Sequence, residues 1–145
     1  LAWELANEAE LVEGYRRLLA AGIRTDLTVD HQIAHSVYMF DPEQNYNEFY
    51  CDTVRDWRAV LHGKMDLITS QWDPLKAEGF TDTRYDPNPV LSSHPTAPLK
   101  PWRITHAVLQ VKDVPAMKRF YTEVAGLKIV SDSGDAIYLG GSHGD

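Results

Sequence analysis

Cysteine is almost absent from this chain. Cys51 is the only one in 145 residues, so no disulfide can form within the chain. That fits a reducing compartment, and a cytoplasmic protein is expected. No apolar run approaches the roughly 20 residues that a membrane-spanning helix needs, so no membrane partner is expected. The first residues, LAWELANEAE, hold no basic stretch followed by an apolar one and do not read as a secretory signal. They also lack a Met and open directly on a strand-like pattern, as a segment taken from inside a longer sequence would. Basic residues are few: 14 Lys and Arg face 21 Asp and Glu, for a net charge of -7. Nucleic acid is therefore not an expected partner, because its recognition needs a basic face.

What is present is ordinary for a globular protein. Apolar residues make up 43% and charged residues 24%, and the length suffices for a sizeable core. Leu1, Trp3 and Leu5 alternate, predicting a strand over 1–6. Leu11, Tyr15, Leu18 and Leu19 then recur at helical spacing, predicting a helix over 7–20. Asn7 is its expected N-cap, Glu10 follows three residues on, and Gly22 is the expected stop. Three strands are predicted at about 24–29, 35–40 and 46–51, the last two joined by Asp41-Pro42-Glu43-Gln44-Asn45.

A helix is expected over 53–68, with Val54, Trp57, Val60 and Leu61 on one side. From Trp72 to Pro101 six prolines break any long element, and a linker is predicted. WRITHAVLQV at 102–111 reads as a strong strand and 113–125 as a helix with Asp113 as cap and Pro115 in its first turn. Met117, Phe120, Tyr121 and Val124 give that helix its apolar stripe, and Gly126 ends it. Strands at 127–131 and 135–140 flank a Ser133-Gly134 turn. The expected organisation is a βαβββ unit over 1–52, a helix and Pro-rich linker over 53–101, and a βαββ(β) unit over 102–145. The shared element order is a weak repeat.

Chemistry concentrates between His31 and Glu48, in HQIAHSVYMFDPEQNYNE. A set of two His and one carboxylate leaves open coordination positions and suits non-haem Fe(II) oxygen chemistry. Glu48 follows the turn, and His106 sits amid apolar residues far down the chain. By spacing alone, a strand His is more often structural and a lone Glu more often solvated. His35 alternates with Val37 and away from Tyr38. Cys51 has no evident activating base and reads as a small apolar residue. His62, His94 and His143 read as solvated, and the four tryptophans as packing residues. GGSHG lacks a following helix, so it makes a poor phosphate cradle.

TVDHQIAHSVYMFDPEQNYNEFY resembles the signature of the type I extradiol dioxygenases. These lie within the vicinal oxygen chelate superfamily, which also holds glyoxalase I, fosfomycin-resistance enzymes and bleomycin-binding proteins. The motif places His31, Val37, Tyr38, Asp41, Pro42 and Glu48 in order. It departs at Gln44, where Gly or Pro is usual, and the neighbouring Asn45 can also tolerate a left-handed conformation. RITHAVLQVKDVPAMKRFYTEVAGLKIV resembles the opening of such a module, in which the His is a metal ligand. LAWELA resembles the strand whose ligand His stands just before its Leu, a position the chain does not contain. The resemblance spans roughly 1–51 and 103–141.

That resemblance implies an α+β fold of paired βαβββ units whose sheets curl around a metal cavity. It implies Glu48 and His106 as metal ligands, with Tyr38 and His31 as catalytic groups beside them. The metal would be Fe(II) first, with Mn, Zn or Ni as alternatives. The implied reaction is extradiol cleavage of a catechol-like diol with O2, by a homodimer. Two other readings stay open: a glyoxalase-like or thiol-transferase metalloenzyme, and a metal-free module that binds an antibiotic. The unit carrying ITH follows the one carrying LAWEL, the reverse of the family's order within a module pair. Either the chain spans two adjacent modules and the two ligands need not share a metal, or it is one rearranged module and they do. The single shared site is the preferred expectation.

Overall fold

The computed structural model describes residues 1–57, 60, 70–86, 95–101 and 104–142. The fold is α+β, and the chain divides into two compact units, Leu1–Pro87 and Asn88–Asp145.

The first unit opens with β1 (Ala2–Glu4), α1 (Glu8–Ala20), β2 (Leu27–Asp30), β3 (Ala34–Phe40) and β4 (Tyr46–Asp52). Asn7 caps α1, its Oδ1 accepting from the Glu10 amide at 3.0 Å. Gly22 adopts φ 69° beyond the helix end. There the amides of Gly22 and Ile23 reach the carbonyls of Leu19 and Leu18, closing the orphan acceptors of the last turn. Helix burial is narrower than the periodicity suggests. Leu11 and Val12 are buried, whereas Leu19 is exposed.

β1 lies parallel to β4, while β3 pairs antiparallel with both β4 and β2. A short fifth strand, β5 (Ser70–Gln71), adds to β2, giving the order β1-β4-β3-β2-β5. Alternation divides the sheet into two faces. Val37 and Cys51 pack with Leu11, Val12 and Trp72, and Leu5, Tyr15, Phe49 and Phe80 close around them. The opposite face carries Ser36, Tyr38, Phe40, Tyr46, Glu48 and Tyr50, as the register sets Ser36 against Tyr50, Tyr38 against Glu48 and Phe40 against Tyr46.

The segment 70–86, expected to open the linker, packs on the helix-covered face. Trp72 and Pro74 are buried, and the Arg84 guanidinium donates to the Thr53 carbonyl at 2.9 Å. Of the helix expected over 53–68, residues 53–56 are not helical, Trp57 and Val60 are, and 58–59 and 61–68 lie outside the described residues. His62, His94, Trp102 and His143 lie outside them too.

In the second unit, Asp113 caps α2 (Val114–Arg119), its Oδ1 accepting from the Ala116 amide at 2.9 Å. The helix widens into a π-helical turn, Phe120–Val124, instead of running on as α. Met117, Phe120 and Tyr121 are its buried residues. β6 (Lys128–Asp132) and β7 (Ile137–Gly140) form an antiparallel hairpin with an irregularity between Ile129 and Ser131.

The strand expected over 102–111 does not form in the described part: residues 104–111 make no ladder. Ile104 is 93% and Val108 84% exposed. Their side chains suit a strand, but strand pairing needs a partner, and among the described residues no strand pairs with them.

Candidate functional site

The open face of the first sheet gathers three of the four expected site residues. Glu48 stands directly opposite Tyr38 across the β3–β4 ladder. The turn between them fixes this register. Asp41 is buried and organises the turn. Its Oδ1 accepts from the amides of Glu43 and Asn45, and its Oδ2 from the Asn45 side chain at 2.8 Å. The left-handed residue is Gln44 itself, at φ 68°, and not Asn45. Asn45 is instead committed to Asp41 through both of its nitrogens, so the strain falls on its neighbour.

Glu48 Oε1 accepts two hydroxyls: Ser36 Oγ at 2.8 Å and Tyr38 OH at 2.7 Å. His31 Nε2 lies 2.9 Å from the Tyr38 oxygen and 3.9 Å from Glu48 Oε1. Tyr38 has one proton and gives it to Glu48. The proton between Tyr38 and His31 therefore belongs to Nε2, and the order is His31 N–H to Tyr38 O–H to Glu48. The second ring nitrogen of His31 is Nδ1. It is buried and makes no hydrogen bond, and a buried polar atom of that kind calls for an explanation. No described contact engages Glu48 Oε2.

Burial pushes the Tyr38 phenol well above its ordinary range, and the Glu48 hydrogen bond and charge add to the shift. Tyr38 is therefore held protonated as a donor. Tyr46 stacks on Tyr38 with ring centres 5.1 Å apart and planes 17° apart. Its hydroxyl donates to Asp26 Oδ2 at 2.7 Å. Desolvation first, then Asp26, push that phenol up to about 12. Burial likewise raises Tyr50 to about 12, helped by the charges of Glu4, Asp52 and Glu48.

His106, in the second unit, is exposed, with Nδ1 2.9 Å from Thr105 Oγ1. A carboxylate oxygen left open among the described residues fits a hard divalent cation. Within the first unit Glu48 is the one expected ligand, and among the described residues no group of three or more His, Cys, Asp or Glu could hold a metal ion.

His35 belongs to a different cluster, one that sequence reasoning missed. It points to the helix-covered face, as its alternation with Val37 implies. There Nδ1 meets Glu8 Oε1 at 2.6 Å, Nε2 lies 3.6 Å from Asp30 Oδ1, and the ring stacks on Trp72. Glu8 itself was legible only as a first-turn acid of α1.

Residues 103–144 match the model of the Glyoxalase/Bleomycin resistance protein/Dioxygenase superfamily. The chain is also 30% identical over 129 residues to "Catechol-2,3-dioxygenase" of Bacillus subtilis (strain 168), covering 88% of this chain and 42% of the relative. The chain thus spans less than half the length of that curated relative. No solved structure matches it.

Proposed function

We propose that this chain, a member of the glyoxalase/bleomycin resistance protein/dioxygenase superfamily, forms part of a metal-dependent dioxygenase that cleaves catechol-like aromatic diols with O2 in the extradiol manner. The observation that carries the reading is the Glu48 carboxylate on the open sheet face. One oxygen is held by Ser36 and Tyr38, and no contact among the described residues engages the other. The similarity to a catechol-2,3-dioxygenase supports the substrate class.

Glu48 and His106 are the proposed metal ligands, with Fe(II) the preferred ion. When bound, such a metal lowers the pKa of a coordinated hydroxyl and holds the substrate in place. The single alignment that runs along 88% of the chain supports two adjacent modules in their natural order. Under that order each ligand serves its own unit.

The rest is done by the chain's own side chains. Ser36 and Tyr38 orient the carboxylate, leaving Oε2 to face a cation. Tyr38 is a fixed hydrogen-bond donor to Glu48, and His31 holds the Tyr38 oxygen from its other side through Nε2. A homodimer is the proposed assembly. No described helix is long and apolar enough to cross a membrane.

Metal analysis of anaerobically purified protein, with Glu48→Ala and His106→Ala beside it, tests the ligands. Loss of metal in Glu48→Ala is expected, and unchanged content overturns its role. Oxygen uptake with catechol, together with a yellow ring-cleavage product, tests the reaction. A thiol requirement without oxygen uptake would point to glyoxalase-type chemistry, and a metal-free protein that binds aromatic compounds to a sequestering module.

A further inference from the structure

We infer that Tyr46, anchored by Asp26, is a positioning residue that holds the Tyr38 hydroxyl on Glu48. The inference rests on the reading of Glu48 given above.

Tyr46 pairs with Phe40 in the ladder, two residues along from the Tyr38–Glu48 pair. It is therefore a diagonal neighbour of Tyr38 on the same face, within reach of an aromatic ring. Tyr46 is 39% exposed and Phe40 47%, so burial alone does not fix the Tyr46 ring. The constraint comes from Asp26. Its carboxylate accepts the Tyr46 hydroxyl at 2.7 Å, and its own amide donates to the Tyr38 carbonyl at 2.7 Å. The result is a closed loop of contacts. It runs from the Tyr38 backbone to Asp26, from Asp26 to the Tyr46 hydroxyl, and from the Tyr46 ring back to the Tyr38 ring.

His31 meets Tyr38 at the hydroxyl end, with Nε2 2.9 Å from the oxygen and the ring planes 78° apart. Stacked on Tyr46 along its ring and bonded to His31 at its hydroxyl, Tyr38 has little freedom to swing that hydroxyl off Glu48. Ser36, the other donor to Glu48, is fully buried in the sheet and needs no such support. Tyr38 reaches further from the backbone and does.

The test is NMR of the full chain carrying tyrosines labelled with 13C at Cζ, without added metal and at one pH. Tyr38→Phe identifies the Tyr38 resonance. Asp26→Ala keeps both rings and removes the anchor, and Tyr46→Phe keeps the stack and removes the hydroxyl. Each is expected to shift the Tyr38 resonance in the same direction. The double variant should add nothing to either single change, and Tyr15, on the helix, should stay in place. An unmoved Tyr38 resonance in Asp26→Ala, with Tyr46's own resonance displaced, overturns the inference. Asp26 is exposed, so this variant keeps the test available if Tyr46→Phe does not fold.

Where the wild type cleaves catechol, Asp26→Ala should lower kcat and leave KM in place; equal loss in both overturns the positioning role. A wild type that cleaves no diol overturns the proposed reaction and leaves the NMR result standing. An unmoved Tyr38 does the reverse.

Discussion

The Glu8 carboxylate lies 2.6 Å from Nδ1 of His35 and ties three elements together. Glu8 belongs to α1, His35 to β3, and the second Glu8 oxygen accepts from the amides of Gly79 and Phe80 at 2.9 and 3.2 Å. The residue is 4% exposed. Truncation to Glu8→Ala leaves two amides and an imidazole without their acceptor. The expected loss is about 2–4 kcal/mol in urea unfolding. Glu8→Gln keeps an acceptor for the two amides and should lose less. Equal stability of Glu8→Ala and wild type would show that the clamp carries no weight.

The β3–β4 turn can be improved. Gln44 sits at φ 68°, a conformation that costs a residue with a Cβ about 1 kcal/mol. Gln44→Gly relieves this and should gain about 0.5 kcal/mol after the entropy of the unfolded chain is counted. Gln44→Val should lose stability. Thermal unfolding of the two variants checks both signs.

Asn7 both starts α1 and reaches the loop beyond it. Its Oδ1 caps the Glu10 amide and its Nδ2 donates to the Thr81 carbonyl. Asn7→Ala should cost about 1 kcal/mol, while Asn7→Asp keeps the cap and loses the Thr81 bond. If the two variants unfold alike, the cap contributes nothing beyond that bond.

The Cys51 thiol is fully buried, and burial first, then the Glu8 charge, push it up to about 12. It should ignore thiol reagents at pH 8 in the native state and react when urea unfolds the chain. The sign for stability follows. An unfolded thiol ionises near about 8.5, where the native thiol still holds its proton. The native state therefore binds more protons and should lose stability as pH rises above that point. Denaturation midpoints at rising alkaline pH in wild type and Cys51→Ala isolate this contribution.

The first unit was largely legible because its signals are local. Period-2 alternation set β3 and β4, Asn7 and Gly22 set α1, and Asp41-Pro42 announced the turn that puts Glu48 opposite Tyr38. The Glu8–His35 clamp was not legible. It joins residues 27 apart in sequence to the backbone of a loop more than 70 residues from Glu8, and no spacing rule covers such a distance. β5 is two residues long, too short to leave a periodic trace. At 104–111 the residues have strand character, but a strand is a property of two segments, and sequence pattern reports on one. The left-handed residue went to Gln44 because Asp41 draws Asn45's nitrogens inward, a competition that composition does not reveal.

The two faces of the first sheet make the length of the 41–45 turn a fixed quantity. Inserting or deleting one residue there would carry β4 past β3 by one step. Glu48 would turn toward Leu11 and Val12, and Phe49 would turn to the open face. A family of natural variants should therefore tolerate many side chains within this turn and very few changes in its residue count.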